Sequence, residues 1–170
     1  MSRHEKSIEM LNEALRRELH ASFQYMYFHF HADDQGYDPL SQLFRSVAIQ
    51  EMVHAERLAE RILYLKGEVT MELSQENEYV NSPAEMLEFS KKLEDDAVVM
   101  YNKFAKQCGE IADSATKRLF EDLIDEEEGH YDQFDLQGEH LEKYGEQFLA
   151  LQGIERSKSM GGGGQTGPGV

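Results

Sequence analysis

The hydrophobic positions of this chain fall into stripes spaced three and four residues apart, the spacing of a helix with one buried face. Ile8, Leu11, Leu15, position 18, Ser22 and Tyr25 predict a helix over about residues 4–33, ended by the turn-forming run "DDQGYDP". Val47, position 51, position 54, Leu58 and Ile62 predict a second helix reaching about Lys66. Asp38 is its expected N-cap, Pro39 its first helical residue and Gly67 its stop.

Residues 67–82, "GEVTMELSQENEYVNS", carry no clear period, and the connection is longer than antiparallel neighbours need. A crossover along the length of a bundle, leaving the second and third helices parallel, accounts for it. "SPAE" then opens a third helix with Ser82 at the N-cap, Pro83 at N1 and Glu85 at N3. That helix runs to about Glu110. Asp113 caps a fourth, reaching about Tyr144 after a tight turn, so these two should form an antiparallel hairpin. "EQFLALQGIERS" predicts a short fifth helix. The chain reads as all-α: a four-helix bundle with a long crossover between the second and third helices and a short fifth C-terminal helix. Residues 1–155 make one domain, and residues 156–170, ending "MGGGGQTGPGV", a flexible Gly-rich tail.

Every stripe is broken by polar residues. Positions 51 and 54 are Glu51 and His54, and the fourth helix repeats the pattern as Phe120, Leu123, Glu127, His130, Phe134. The first helix breaks once, at Glu18, and the third once, at Glu94, between Leu87 and Ala97. Glu18 to Glu51 and Glu94 to Glu127 are both 33 residues apart, and each lone Glu is followed seven residues later by a tyrosine, Tyr25 and Tyr101. The sequence thus holds two matching halves, each offering Glu and then Glu-x-x-His.

A single Glu-x-x-His on a helix is weak evidence, because surface helices are full of both residues. Two on buried stripes, each with a buried Glu at the same separation, are not a surface pattern. An isolated buried carboxylate costs several kcal/mol unless it is paired or metal-bound. Four would unfold a domain whose whole stability is about 5–15 kcal/mol. Two divalent ions balance four carboxylates, and two neutral imidazoles complete a mixed O/N set suited to Fe(II), Mn(II) or Zn(II) rather than Ca or Mg. The pattern therefore predicts a dinuclear metal site in the bundle core.

Composition narrows the partners. The net charge is −16, from 33 acidic and 17 basic residues with no basic cluster, which argues against nucleic acid; such a surface concentrates cations, and fits a solvated, solubilising surface equally well. The one cysteine, Cys108, excludes an intramolecular disulfide and a four-cysteine metal knuckle. No run is long and apolar enough to span a membrane, and the N-terminal segment lacks an apolar signal core. A cytoplasmic protein is expected.

The constellation resembles the ferritin-like di-iron carboxylate proteins, and more narrowly the bacterioferritins. The likeness covers about residues 4–155 and rests on "LNEALRRELHASFQY", "EMVHAERLAERILYLKG" and "EDLIDEEEGHYDQF". Glu-x-x-His in both halves is its specific mark. The resemblance implies two iron ions per subunit: Glu18 and His54 on one, Glu94 and His130 on the other, Glu51 and Glu127 bridging. Tyr25 would lie nearby as a hydrogen-bonding or electron-donating residue; no family role is implied for Tyr101.

Met52 matches the family's axial ligand to a haem shared between two subunits. An apolar face of Leu19, Phe23, Met26, Phe30, Ile49 and Met52, turned away from the metal stripe, fits a dimer interface. The implied activity is ferroxidation, Fe(II) to Fe(III) with O2 or H2O2, the product stored as mineral in a cage of 24 subunits, with a ferredoxin as electron donor. Two departures stand out. Gln50 and Ser46 replace the acid and histidine that many family members use for iron passage and an inner-surface iron site. The competing readings are a di-manganese catalase or peroxidase on the same fold, a non-enzymatic haem electron carrier, and a plain acidic interaction module.

Overall fold

The computed structural model describes residues 3–161, which form five helices and no strand. They are α1 Arg3–Asp34, α2 Asp38–Tyr64, α3 Pro83–Glu110, α4 Ser114–Tyr144 and α5 Glu146–Gly161. The first four match the expected spans to within two residues, because each keeps one helical period along its whole length and has a clear break at its end.

Three-residue connections after α1 and α3 fold α1 onto α2 and α3 onto α4. Gly36, at φ +81°, lets α1 end in a tight reversal in which the Tyr37 N–H bonds back to Ala32 O at 2.9 Å. The direction of the crossover is recorded in its hydrogen bonds to α1. Asn12 bonds Glu68 O and Thr70 N, Arg16 O accepts from Ser74 N, Gln24 bonds Glu78, and Tyr27 and Gln35 reach Asn81. The segment climbs α1 from one end of the bundle to the other. It returns the chain to the end where α2 began, so α2 and α3 run parallel, as the length of the connection requires.

Capping shows where local chemistry suffices. The Ser82 hydroxyl accepts the Glu85 N–H at 3.2 Å and donates to the Glu85 carboxylate at 2.6 Å, and Asp113 accepts from the Thr116 N–H at 3.2 Å. Asp38, by contrast, is not a cap. The helix begins at Asp38 itself, after Tyr37, which makes no side-chain cap bond. The duty passes to α5: Gln152 Oε1 accepts the Leu40 N–H at 2.9 Å, and Arg156 pairs with Asp38 at 3.2 Å and Asp33 at 3.3 Å. Residues 156–161, assigned to the tail from the sequence, are the last turns of this helix; the remainder of the expected tail lies outside the described residues.

Gly67 also departs from its expected role. The left-handed residue after α2 is Lys66, at φ +64°. Gly67 matters for space, because a Cβ there would come within 2.7–2.9 Å of three Ile8 side-chain atoms.

The interior is two apolar halves. One gathers Leu11, Leu15, Leu58, Ile62, Tyr101, Phe104, Phe120 and Leu123; the other Tyr25, Phe28, Leu40, Phe44, Val47, Leu87 and Phe134. Leu19 joins the first core rather than the outward face expected of it. Phe23, Phe30, Ile49 and Met52 do face outward, each 45–59% exposed. Gly67→Ala is expected to cost about 1–3 kcal/mol by overpacking, with Ile8→Ala relieving part of it. A chemical-denaturation double-mutant cycle giving strictly additive effects would show that the contact is not the cause.

Candidate metal centre

Between the two apolar halves lies one polar layer, in which all six residues expected from the sequence meet. Glu18, Glu51, Glu94 and Glu127 have no exposed surface, nor has His54, and His130 is 3% exposed. α1 and α3 each contribute one carboxylate; α2 and α4 each contribute a Glu and, three residues on, a His on the same face. Two overlapping groups result: Glu18, Glu51, His54 and Glu127, and Glu51, Glu94, Glu127 and His130, the ligand atoms of each lying within 4.8 Å of one another. Glu51 and Glu127 belong to both.

Both imidazoles turn Nδ1 inward. His54 Nδ1 lies 3.0 Å from both Glu51 and Glu127, and His130 Nδ1 lies 3.5–3.6 Å from Glu51, Glu94 and Glu127. The outer nitrogens are held from outside the layer: His54 Nε2 at 2.8 Å from Glu126, itself bound by Arg57, and His130 Nε2 at 2.6 Å from Gln50 Oε1. The rings stack at 5.6 Å and 18°. Such outer partners fix the tautomer and aim of a metal-binding histidine.

The tyrosines cross between the halves. Tyr25 of α1 donates to Glu94 of α3, and Tyr101 of α3 donates to Glu18 of α1. Burial and the carboxylates push both phenols well above their usual pKa, so both keep their protons and act as donors.

Arg17 was not foreseen. It is 6% exposed, and Nη1 lies 3.0 Å from Glu18, 3.4 Å from Glu127 and 3.5 Å from Glu51, while Nη2 lies 3.4 Å from Glu94 and donates to Leu93 O at 3.0 Å. A signal existed: Met10, Ala14, position 17 and Ala21 form a second buried stripe of mostly small residues, on which an arginine is out of place. The roles of Gln50, Glu126 and Tyr101 were also missed, since none lies on a stripe together with the group it holds.

These groups share one proton economy. Burial, then repulsion from Glu127, raises Glu94 to about 7, and Glu18 rises through burial and Glu51. Burial and Glu94 act on Glu51 in the same sense, but Arg17 and the facing imidazoles outweigh them and hold it below its usual value. Burial should make the histidines poor bases, yet the carboxylates around them prevail: His130 is pushed up to about 12 and His54 also rises strongly. Without metal, the layer is held by arginine and imidazolium charge. Even so, neither Glu51 oxygen and not His130 Nδ1 has a hydrogen-bond partner among the described residues. Donor atoms that face opposite charges yet lack a hydrogen bond fit a metal pair.

The comparisons accord with this geometry. Residues 8–144 match the model of the ferritin family, described as a ferritin-like domain. A bacterioferritin of Desulfovibrio desulfuricans is 40% identical over 85% of this chain and 81% of its own length, and one of Rhodobacter capsulatus is 37% identical over 86% and 91%. The chain belongs to the bacterioferritin family. An X-ray structure of the D. desulfuricans bacterioferritin, described as showing its diiron site in different catalytic states, superposes with a TM-score of 0.87 at 38% identity, covering 88% of each chain. The R. capsulatus bacterioferritin, solved with a metal-free dinuclear site and haem iron in a crystallographic special position, gives 0.84 at 35% identity over 89% of this chain and 94% of its own. Such bacterioferritins share the ferritin-like bundle seen here.

The proton economy has a measurable sign. Glu94, His54 and His130 bind protons more tightly folded than unfolded. Their contribution is full below the ordinary values of 4.5 and 6.5 and fades as pH rises through about 7 for Glu94 and about 12 for His130. Glu51 acts the other way, but only as pH falls below 4.5. The metal-free protein is therefore expected to lose thermal stability between about pH 5 and pH 9, and the zinc-loaded protein to gain it, because protons compete with metal for the imidazoles. Circular-dichroism melts in chelator showing the opposite slope would mean the metal-free imidazoles are neutral.

Proposed function

We propose that this chain is an iron-storing ferroxidase, oxidising Fe(II) to Fe(III) with O2 or H2O2 at a di-iron centre within each subunit. The observation that carries the reading is the pair of buried donor groups sharing Glu51 and Glu127. Glu18 and His54 would hold one metal, Glu94 and His130 the other, with Glu51 and Glu127 bridging. Hard carboxylates and borderline imidazoles are the donor types that take Fe(II). Iron held there supplies the redox chemistry, each Fe(II) giving up one electron.

The chain's own groups set the conditions. His54 and His130 must shed protons for Nδ1 to bind metal, and the bridging carboxylates receive charge that arginine and imidazolium supply beforehand. Tyr25 and Tyr101 hold one oxygen each of Glu94 and Glu18, leaving the other oxygen to turn toward metal; Tyr25 would also donate an electron. Glu126 and Gln50 keep the rings from rotating. Phe120, Leu123, Phe134 and Phe44 pack above and below the layer and exclude bulk water.

The apolar outward face, with Phe23, Phe30, Ile49, Met52 and Val53 all 45% exposed or more, would be buried between two copies. Met52 of each copy would ligate a haem there, and such dimers would build the 24-subunit cage that keeps the ferric mineral. A cytoplasmic site of action fits the sequence, and among the described residues no helix is long and apolar enough to cross a membrane. The ferredoxin donor rests on the family resemblance alone.

Stopped-flow mixing of metal-free protein with Fe(II) in oxygen should give a fast phase saturating at two irons per subunit, lost in Glu51→Ala. No fast phase in the native chain would favour the manganese or haem-carrier readings. Independently, Met52→Leu should abolish the Soret band of haem-reconstituted protein while leaving the fast phase intact; an unchanged band would place the haem elsewhere.

A further inference from the structure

We propose that Arg17 is a resident cation that occupies the metal seat when the centre is empty and swings out to an exterior cavity when metal binds. The proposal rests on the dinuclear reading above and adds to it a competitor built into the chain.

Arg17 Nη1 sits 3.0–3.5 Å from oxygens of Glu18, Glu51 and Glu127, three members of one donor group. A divalent ion using those same oxygens needs them at about 2.0–2.2 Å. Metal and guanidinium would claim the same few cubic ångströms, so they cannot both be seated. Charge gives the same answer. Four carboxylates are balanced by two divalent ions; a buried guanidinium left among them is a surplus positive charge beside two dications, and a surplus buried charge is expelled or neutralised. Arginine does not deprotonate in proteins. It must move.

The structure provides somewhere to go. On the outer side of Arg17, between α1, α3 and the crossover, lies a cavity of about 280 Å³ whose lining includes Arg17, Glu13, Lys92, Leu93 and Asp96. Glu13 is exposed and lies one helical turn before Arg17, the i, i+4 order in which a Glu and an Arg pair well on a helix surface. Asp96 lines the opposite wall, now paired with Lys92 at 2.6 Å. The inner seat is also imperfect: the buried Nε of Arg17 has no hydrogen-bond partner. Rotation about the side-chain bonds would exchange four buried carboxylates for two at the surface.

Resident occupancy has two effects. It keeps the empty centre folded, by opposing four carboxylates that would otherwise repel one another. It also weakens metal binding, because each loading event must displace it.

The test measures metal binding, not turnover. Zn(II) titration by calorimetry and the Co(II) visible spectrum are compared in the native chain, in Arg17→Met and in the outer-seat variant Glu13→Gln/Asp96→Asn. Arg17→Met should bind Zn(II) at least tenfold more tightly and melt lower when metal-free. The outer-seat variant should bind several-fold more weakly, with its metal-free melting temperature unchanged. Equal or weaker binding by Arg17→Met would overturn the proposal alone, as would unchanged binding by the outer-seat variant. Absence of a two-metal stoichiometry in every variant would overturn the dinuclear reading as well. Should Arg17→Met fail to fold, Arg17→Gln and the outer-seat variant carry the same comparison.

Discussion

Four carboxylates share a buried layer from which water is largely excluded, and the rest of the molecule is arranged around the repulsion between them. Coulomb energy between like charges a few ångströms apart is many times larger inside a protein than in water. Such a layer persists only with compensating positive charge on the spot. Here that charge comes from Arg17 and from His54 and His130, and two neutral phenolic donors add hydrogen bonds to the carboxylates. The layer is accordingly polarised before any metal arrives. Its charge balance, rather than its shape alone, is what a bound cation takes over.

The two apolar halves of the core serve this layer. Aromatic pairs on either side, Tyr25 tilted against Phe134 at 5.2 Å and Tyr101 stacked on Phe120 at 5.7 Å, fix the tyrosines whose hydroxyls reach across the bundle. Each half of the chain therefore orients the lone carboxylate of the other. Two similar helical hairpins that merely packed together could slide along one another; crossed hydrogen bonds to buried carboxylates fix their register. The same layer that threatens stability also specifies how the halves dock.

Membership of the bacterioferritin family and the local chemistry of this chain are separate facts, and they meet unevenly. The six residues read from the sequence meet in two overlapping groups that could hold metal ions. Their supports come from neighbouring side chains: Gln50 holds His130 with a neutral oxygen, and Arg17 lies among the carboxylates. A neutral acceptor behind an imidazole draws its proton less strongly than a carboxylate would. The two histidines are thus supported differently, His54 by Glu126 and His130 by Gln50.

The sequence by itself determined the first four helices, most of their faces and the six residues that meet in the polar layer. Period, caps such as Ser82 and Asp113, and polar breaks in apolar stripes are local properties, and the equal 33-residue spacings tied the two halves together without coordinates. Only the tertiary structure decided what reaches across the bundle. Asp38 looked like a cap until α5 was seen to supply one; Gly67 looked like a helix stop until Ile8 was found against it; Tyr101 had spacing but no partner until Glu18 stood opposite. Arg17 is the clearest case, because it lies one residue from Glu18 in the chain yet meets Glu51, Glu94 and Glu127 from three other helices. A sequence records which face a residue occupies, but a long side chain's destination depends on the field of groups brought together by packing.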